Sequence, residues 1–361
     1  MSISNQDRLK LNVLLRQNVK AIRIDESNMQ VHACMEKGES KFPLNPTCPD
    51  HKYLRLVREL LSAHVTGSPG GYPVFIKRWT RMEQSKSTNL GSLLLLGEPE
   101  AVIAVANSPA LSIEVAELVW WSLQSVEVAQ MMLNNATIRA SALGRELAKF
   151  LFEFLPFESE PQVIIDSLKL IVKPGLLEEN DLQNLWRRGQ RKAIFCIGFL
   201  NQFEQPLPDT QSDHFLLNYV EAIDSSNNET MNAYLAQLQR ICQAQGQQFL
   251  AVLKRSLEKY TSQEEIVEII AIMDKYFHLK EILDEANLIY LIEKFSEQKN
   301  QPEFVSRFEA MLAALNELNK VEDALLIPVL SHTDAMGSVL RQKLEDVIGP
   351  IRSNIETLVN H

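Results

Sequence analysis

The sequence has few cysteines and no long apolar run, and each shortage excludes a class of protein. It holds 4 cysteines in 361 residues without the spacing of a disulfide framework, which favours reduced thiols in a cytoplasmic protein. The longest apolar runs, such as 93–96 and 288–292, fall far short of the roughly 20 residues that cross a bilayer. The first residues lack a basic stretch followed by an apolar one, so no secretory signal is predicted. We therefore expect a cytoplasmic protein without a membrane partner.

The sequence also lacks the short motifs of common enzymes. It has no G-x-S-x-G nucleophile elbow and no H-E-x-x-H zinc motif, and its 7 histidines are dispersed. The glycine-rich stretch 67–71 has neither the ending of a P-loop nor the G-x-G-x-x-G of a dinucleotide site. We interpret it as a turn in which Gly70 or Gly71 adopts a positive φ. The sequence therefore predicts no catalytic residue and no cofactor.

Charge is nearly balanced in the first part of the chain and strongly negative in the second. Residues 1–201 hold 23 Lys and Arg against 21 Asp and Glu, whereas residues 202–361 hold 13 against 25. Clustered cations are needed to grip phosphate. Any anion site is therefore expected in the first part.

The apolar periodicity predicts a mainly α protein with a small β element at its N-terminus. Ile22 and Ile24 alternate with charged residues, and Met29 and Val31 alternate with Gln30 and His32, which is typical of an antiparallel meander. Pro43 predicts that the last strand lies at an edge. From Glu98 onward the three- and four-residue steps indicate helix after helix. We expect an irregular helical solenoid or a multi-helix bundle.

Composition shifts predict the domain organisation. An N-terminal α+β segment is expected over 1–95 and a helical domain over 96–203. Pro206 and Pro208 make 204–212 the best candidate for a linker. An acidic helical domain is expected over 213–361.

Two basic clusters are the candidate anion-binding or partner-binding sites. They consist of Lys77, Arg78, Trp79 and Arg81 in the first, and of Arg187, Arg188, Arg191 and Lys192 in the second. Cations beside an aromatic ring can hold phosphate or a carboxylate. The alternative is structural, with the arginines pairing with carboxylates of their own domain or lying at solvated helix ends. If both clusters faced one surface, they would form a strongly positive patch on an acidic protein.

Histidines and cysteines provide weaker candidates. His32 with Cys34 and Cys48 with His51 have spacings that could bind zinc, although we predict no metal site from two loosely matched pairs. Cys196 has basic residues nearby and is the thiol that could carry sulfur, but such a thiol must be exposed in an electropositive setting. A buried position on an apolar segment is the alternative.

Several longer stretches carry a resemblance to a known family. They are AIRIDESNM at 21–29, GSPGGYPVFIKRWTRM at 67–82 and LLLLGEPEAV at 93–102, with further stretches at 11–15, 53–59, 152–158 and 185–192. These stretches resemble the DsrS proteins, which are encoded with the dissimilatory sulfite reductase system of sulfur-oxidising bacteria. The resemblance implies a soluble cytoplasmic accessory protein, regulatory rather than catalytic, in sulfur oxidation through the reverse-acting sulfite reductase pathway. It implies no catalytic motif.

Three functional hypotheses follow. The first is a non-catalytic helical interaction protein that regulates the sulfur-oxidation system by binding a partner protein of that system or a transcript. The second is a sulfur-handling protein that uses Cys196. The third is a regulator that binds RNA or DNA through the two basic clusters.

Overall fold

The computed structural model describes residues 2–66, 90–223, 228–279 and 283–359. These residues form two compact units, an N-terminal unit over Met1–Phe154 and a C-terminal unit over Leu155–His361. Each unit is described by itself below.

The N-terminal unit combines a small sheet with helices. Its strands are β1 (Val19–Asp25), β2 (Gln30–Met35) and β3 (Gly38–Pro43). Its helices are α1 (Asn5–Leu15), α2 (Asp50–Thr66), α3 (Pro99–Ala106), α4 (Ile113–Ser122), α5 (Val126–Asn134), α6 (Ala136–Arg139) and α7 (Ala142–Phe154), with a 3-10 helix at Gly91–Leu95.

The three strands form the predicted antiparallel meander in the order β1-β2-β3. Ile22 and Val31 are buried on one face and pack in a core with residues of α1 and α2, as the alternation of apolar residues predicts. The first turn is closed by Asp25, whose carboxylate accepts a hydrogen bond from the Asn28 backbone N–H at 3.0 Å. Pro43 ends the edge strand β3, so its predicted place is confirmed.

The C-terminal unit is built from helices throughout its described residues. They are α8 (Pro161–Ile171), α9 (Glu179–Gly189), α10 (Ile194–Leu200), α11 (Leu217–Glu221), α12 (Glu229–Cys242), α13 (Ala244–Lys259), α14 (Gln263–Phe277), α15 (Glu285–Gln298), α16 (Pro302–Leu318), α17 (Ile327–Leu330) and α18 (Gly337–Leu358), with 3-10 helices at Leu155–Phe157 and Asp323–Leu325.

Two of these helices, α14 and α16, begin at residues that the sequence predicts as helix starts. Ser262 caps α14 by accepting a hydrogen bond from the Glu265 backbone N–H at 3.2 Å, and the Glu265 carboxylate reaches back to Thr261. Ser262 thus supplies the N-cap half of a capping box, while Glu265 bonds Thr261, the residue before the N-cap, instead of the Ser262 N–H. Pro302 occupies the first turn of α16, where its missing N–H costs nothing. The mainly α fold with a small N-terminal sheet is thus confirmed.

The division between the units differs from the predicted domain boundaries. It falls between residues 154 and 155, inside the helical domain expected over 96–203. The segment 204–212 is irregular but packs within the C-terminal unit, because Trp186 Nε1 donates a hydrogen bond to Asp209 Oδ2 at 2.8 Å. A proline-rich composition marks irregular backbone and not a gap between cores.

None of the described helices is both long enough and apolar enough to cross a bilayer.

Candidate functional site

The end of α9 carries three arginines on one face. Arg187, Arg188 and Arg191 follow Asn184 at steps of three and four residues, which place side chains on one side of a helix. Together the four residues line a surface depression of 320 Å³. The Arg191 backbone N–H donates to the Arg188 carbonyl at 3.0 Å, so the helical turn extends to the last arginine. We call this depression the arginine cleft.

The opposite face of α9 fixes the direction of the arginines. Leu185 and Trp186 are buried in the C-terminal unit. The Trp186 ring meets Phe199 of α10 edge to face, with ring centres 5.1 Å apart, and its indole N–H bonds Asp209. Because the buried Trp186 determines which side of the helix faces the core, Arg187 and Arg191 are exposed to solvent and Arg188 is half-buried.

The cleft is electropositive. Arg187 and Arg191 are exposed, and neither takes part in an ion pair in the described part of the chain. Arg187 Nε instead donates to the Gln183 carbonyl at 3.4 Å. The Arg188 guanidinium lies over the Phe195 ring, 5.8 Å from its centre, a contact that leaves its charge in place. Arg187 and Arg191 therefore do not pair with the described carboxylates of their own unit, and their exposed positions at a helix end agree with the other form of the structural alternative.

Lys192 follows the cleft without lining it. The lysine is exposed, and its charge acts on the buried carboxyl of Glu265. Burial raises the pKa of Glu265, while hydrogen bonds from Thr261 and the charge of Lys192 lower it in part.

The other predicted basic cluster, Lys77, Arg78, Trp79 and Arg81, lies outside the described residues, as do Gly70 and Gly71. The described residues therefore do not test whether the two clusters face one surface.

Three comparisons with known proteins were made. No protein-family model, curated protein or solved structure matches the chain. The resemblance to the DsrS family therefore stays a prediction, and the cleft is interpreted from its own geometry.

The four residues with zinc-like spacing have ordinary environments in the N-terminal unit, where Cys48 packs against the core and His51 is exposed. His32 Nδ1 lies 2.7 Å from a carboxylate oxygen of Glu39, and burial raises the pKa of the Cys34 thiol. Within 2–66, 90–223, 228–279 and 283–359, no group of three or more His, Cys, Asp and Glu residues is placed to hold a metal ion.

Cys196 is packed between α9 and α13. It is 1% exposed, and its Sγ donates to the Gly189 carbonyl at 3.2 Å. Burial raises the pKa of the thiol, and the Arg255 guanidinium, whose Nη2 lies 3.8 Å from Sγ, lowers it only in part. Because the thiolate is the reactive form, this environment disfavours sulfur transfer at neutral pH.

Sequence reasoning missed several residues around α9. Asn184 could have been found, since it lies at helical spacing from the arginines. Asp209, Gln248 and Arg255 line a second cavity beyond the buried face of α9, and no local pattern connects them.

Proposed function

We propose that the protein is a non-catalytic binding protein that holds an acidic segment of a partner protein in the arginine cleft. The observation that carries this proposal is the convergence of Arg187, Arg188 and Arg191 in one depression. Two of these guanidinium groups lie outside any ion pair of the described chain. A guanidinium presents its N–H groups in a planar fork that matches a carboxylate. Glutamate and aspartate side chains of a partner are therefore the expected ligands.

The size of the cleft favours a protein partner over a nucleic acid. The lining residues 184–191 span about 10 Å of helix, whereas duplex DNA carries a charge about every 1.7 Å and is gripped by longer cationic stripes. The excess of acidic residues over 202–361 would also repel a phosphate backbone. Binding of RNA or DNA is the competing outcome of the test below.

The resemblance to the DsrS family supports a biological setting for this activity. Within the proposal, the protein is an accessory or regulatory component of cytoplasmic sulfur oxidation through the reverse-acting sulfite reductase pathway. Its partner is a protein of that system. The alternative that uses Cys196 is weaker, because the thiol is buried and its pKa is raised.

The test compares binding of a labelled octaglutamate peptide and a labelled oligothymidine by fluorescence anisotropy. The double variant Arg187→Glu/Arg191→Glu should lower peptide affinity by about 10-fold to 100-fold, which corresponds to about 1.4–2.8 kcal/mol. Binding to the wild-type protein should weaken as salt is raised. Circular dichroism checks that the variant keeps its helices.

Lys52→Glu/Lys275→Glu is the matched control, since it changes the net charge equally at two exposed lysines that do not line the cleft. It should leave peptide affinity within about twofold. Equal peptide affinity of the cleft variant and the wild type would overturn the proposal. Tighter binding of the oligothymidine, lost in the cleft variant, would move the function to the nucleic-acid class.

A further inference from the structure

The C-terminal unit contains a second cavity, of 530 Å³, between residues 208–211 and helix α13. Its size falls within the range of sites for small metabolites, about 300–1,000 Å³. Its polar lining residues are Gln190, Asp209, Thr210, Gln211, Gln248 and Arg255. We call it the polar cavity.

Arg255 brings a positive charge into this wall and forms no ion pair with Asp209, the carboxylate that also lines the cavity. Its Nη1 donates to Gln190 Oε1, and its Nη2 contacts the sulfur of Cys196 at 3.8 Å. Its Nε is shielded from solvent and has no hydrogen-bond partner among the described residues. No ion pair of the described chain includes Arg255. A partly buried cation without a counter-charge is costly, so an anion in the cavity would stabilise it.

Gln248 adds an acceptor to the same wall. Its side chain is 5% exposed, and Oε1 has no hydrogen-bond partner within the described chain. A buried acceptor without a donor destabilises the folded protein. An N–H or O–H group of a ligand could donate the missing hydrogen bond to Gln248 Oε1.

Asp209 supplies a second acceptor and links the cavity to a spectroscopic reporter. Its Oδ2 accepts from Trp186 Nε1 at 2.8 Å and from Gln190 Nε2 at 3.4 Å. A ligand hydroxyl that reached Asp209 would change the environment of the Trp186 indole N–H.

We propose that the polar cavity binds a small hydroxylated organic anion. Arg255 recognises its carboxylate or phosphate group, and Gln248 and Asp209 accept hydrogen bonds from its hydroxyl groups. One cation and two acceptors in a polar wall match a ligand that carries both kinds of group. This site is independent of the arginine cleft, whose lining residues are different.

The experiment titrates four small probes into the full-length protein, with isothermal calorimetry and the ¹⁵N-labelled Trp186 indole signal as readouts. Glycerate and glycerol 3-phosphate carry an anionic group and hydroxyls, and their comparison distinguishes carboxylate from phosphate recognition. Glycerol carries only hydroxyls and acetate only the anion. At least one of the first two should bind and shift the indole signal, and the last two should bind at least about 10-fold more weakly.

Two variants in the cavity lining and one control outside it test where the ligand binds. Arg255→Gln should weaken binding at least about 10-fold, while Lys254→Gln, which removes the same charge from the preceding position outside the cavity lining, should not. Gln248→Leu should weaken the hydroxylated anions and leave acetate unchanged, and it tests the site even if Arg255→Gln fails to fold.

The proposal is overturned if neither hydroxylated anion moves the Trp186 signal at millimolar concentration. It is equally overturned if glycerol binds as tightly as glycerate and glycerol 3-phosphate, or if Arg255→Gln binds like the wild type.

Discussion

Asp7 joins three segments of the N-terminal unit through one buried carboxylate. It accepts hydrogen bonds from the Asn45 backbone N–H at 2.7 Å, from Asn45 Nδ2 at 2.9 Å and from the Tyr53 hydroxyl at 2.5 Å. Burial by itself raises the pKa of this carboxyl, but the hydrogen bonds outweigh burial and hold the pKa below its usual value of 3.8. Ionised Asp7 therefore stabilises the fold.

The sign of the pH dependence follows from this lowered pKa. Above the pKa of the unfolded chain, the carboxyl is ionised in both states and its contribution to the free energy of unfolding is complete. As the pH falls below about 4, the unfolded chain takes up the proton first, and the contribution is lost towards the lower folded pKa. Tyr53→Phe should lower the free energy of unfolding by about 1–3 kcal/mol at neutral pH and flatten this loss in acid.

Urea unfolding at several pH values between about 7 and about 3 measures both effects. Tyr290→Phe is the control, because it removes a tyrosine hydroxyl that belongs to the other unit. An unchanged acid dependence in Tyr53→Phe would contradict the role assigned to the Tyr53–Asp7 hydrogen bond.

At the scale of elements, the contact between α9 and α10 depends on the absence of a side chain at Gly189. A Cβ atom built there would lie 2.8 Å from Cys196 Sγ, closer than unbonded carbon and sulfur atoms approach. The arginine cleft and the polar cavity both border this helix end. Close packing at Gly189 thus helps to position both sites.

Gly189→Ala is expected to lower the free energy of unfolding by about 1–3 kcal/mol through overpacking, despite the better helix propensity of alanine. Adding Cys196→Ala removes the clashing sulfur, so the double variant should recover part of the loss relative to the sum of the single variants. Chemical denaturation of the four proteins gives the coupling free energy. Additive effects would show that the two positions do not clash.

At the scale of the whole molecule, negative charge is concentrated in the second part of the chain. Residues 202–361 carry 25 Asp and Glu against 13 Lys and Arg, and the whole chain has a net charge of −10. Like charges repel one another more in a compact state than in an extended one. Self-repulsion therefore opposes folding at low ionic strength.

Raising NaCl from about 0.02 M to about 0.3 M should increase the midpoint of urea unfolding, because the Debye length shortens and the repulsion is screened. Glu309→Gln, at an exposed position in the acidic part, should reduce this salt effect. Glu153→Gln removes an exposed carboxylate from the balanced part and should reduce it less. A midpoint that falls with salt would mean that attractive charge pairs dominate.

Local features could be predicted from the sequence because their causes lie within a few residues. The alternation around Ile22 and Val31 determines the meander, and Ser262 and Pro302 determine where two helices begin. The spacing of the arginines at the end of α9 likewise determines that they share one face.

The tertiary structure alone decided which distant residues meet. Asp209 lies in a segment predicted as a linker, yet it accepts a hydrogen bond from Trp186, which is 23 residues away in the sequence. Arg255 donates a hydrogen bond to Gln190, which is 65 residues away. Local periodicity shows that α13 has a buried side, but which helices cover that side depends on the packing of the whole unit. The division at residues 154 and 155 and the polar cavity arise from such packing, so no short pattern in the sequence could have predicted them.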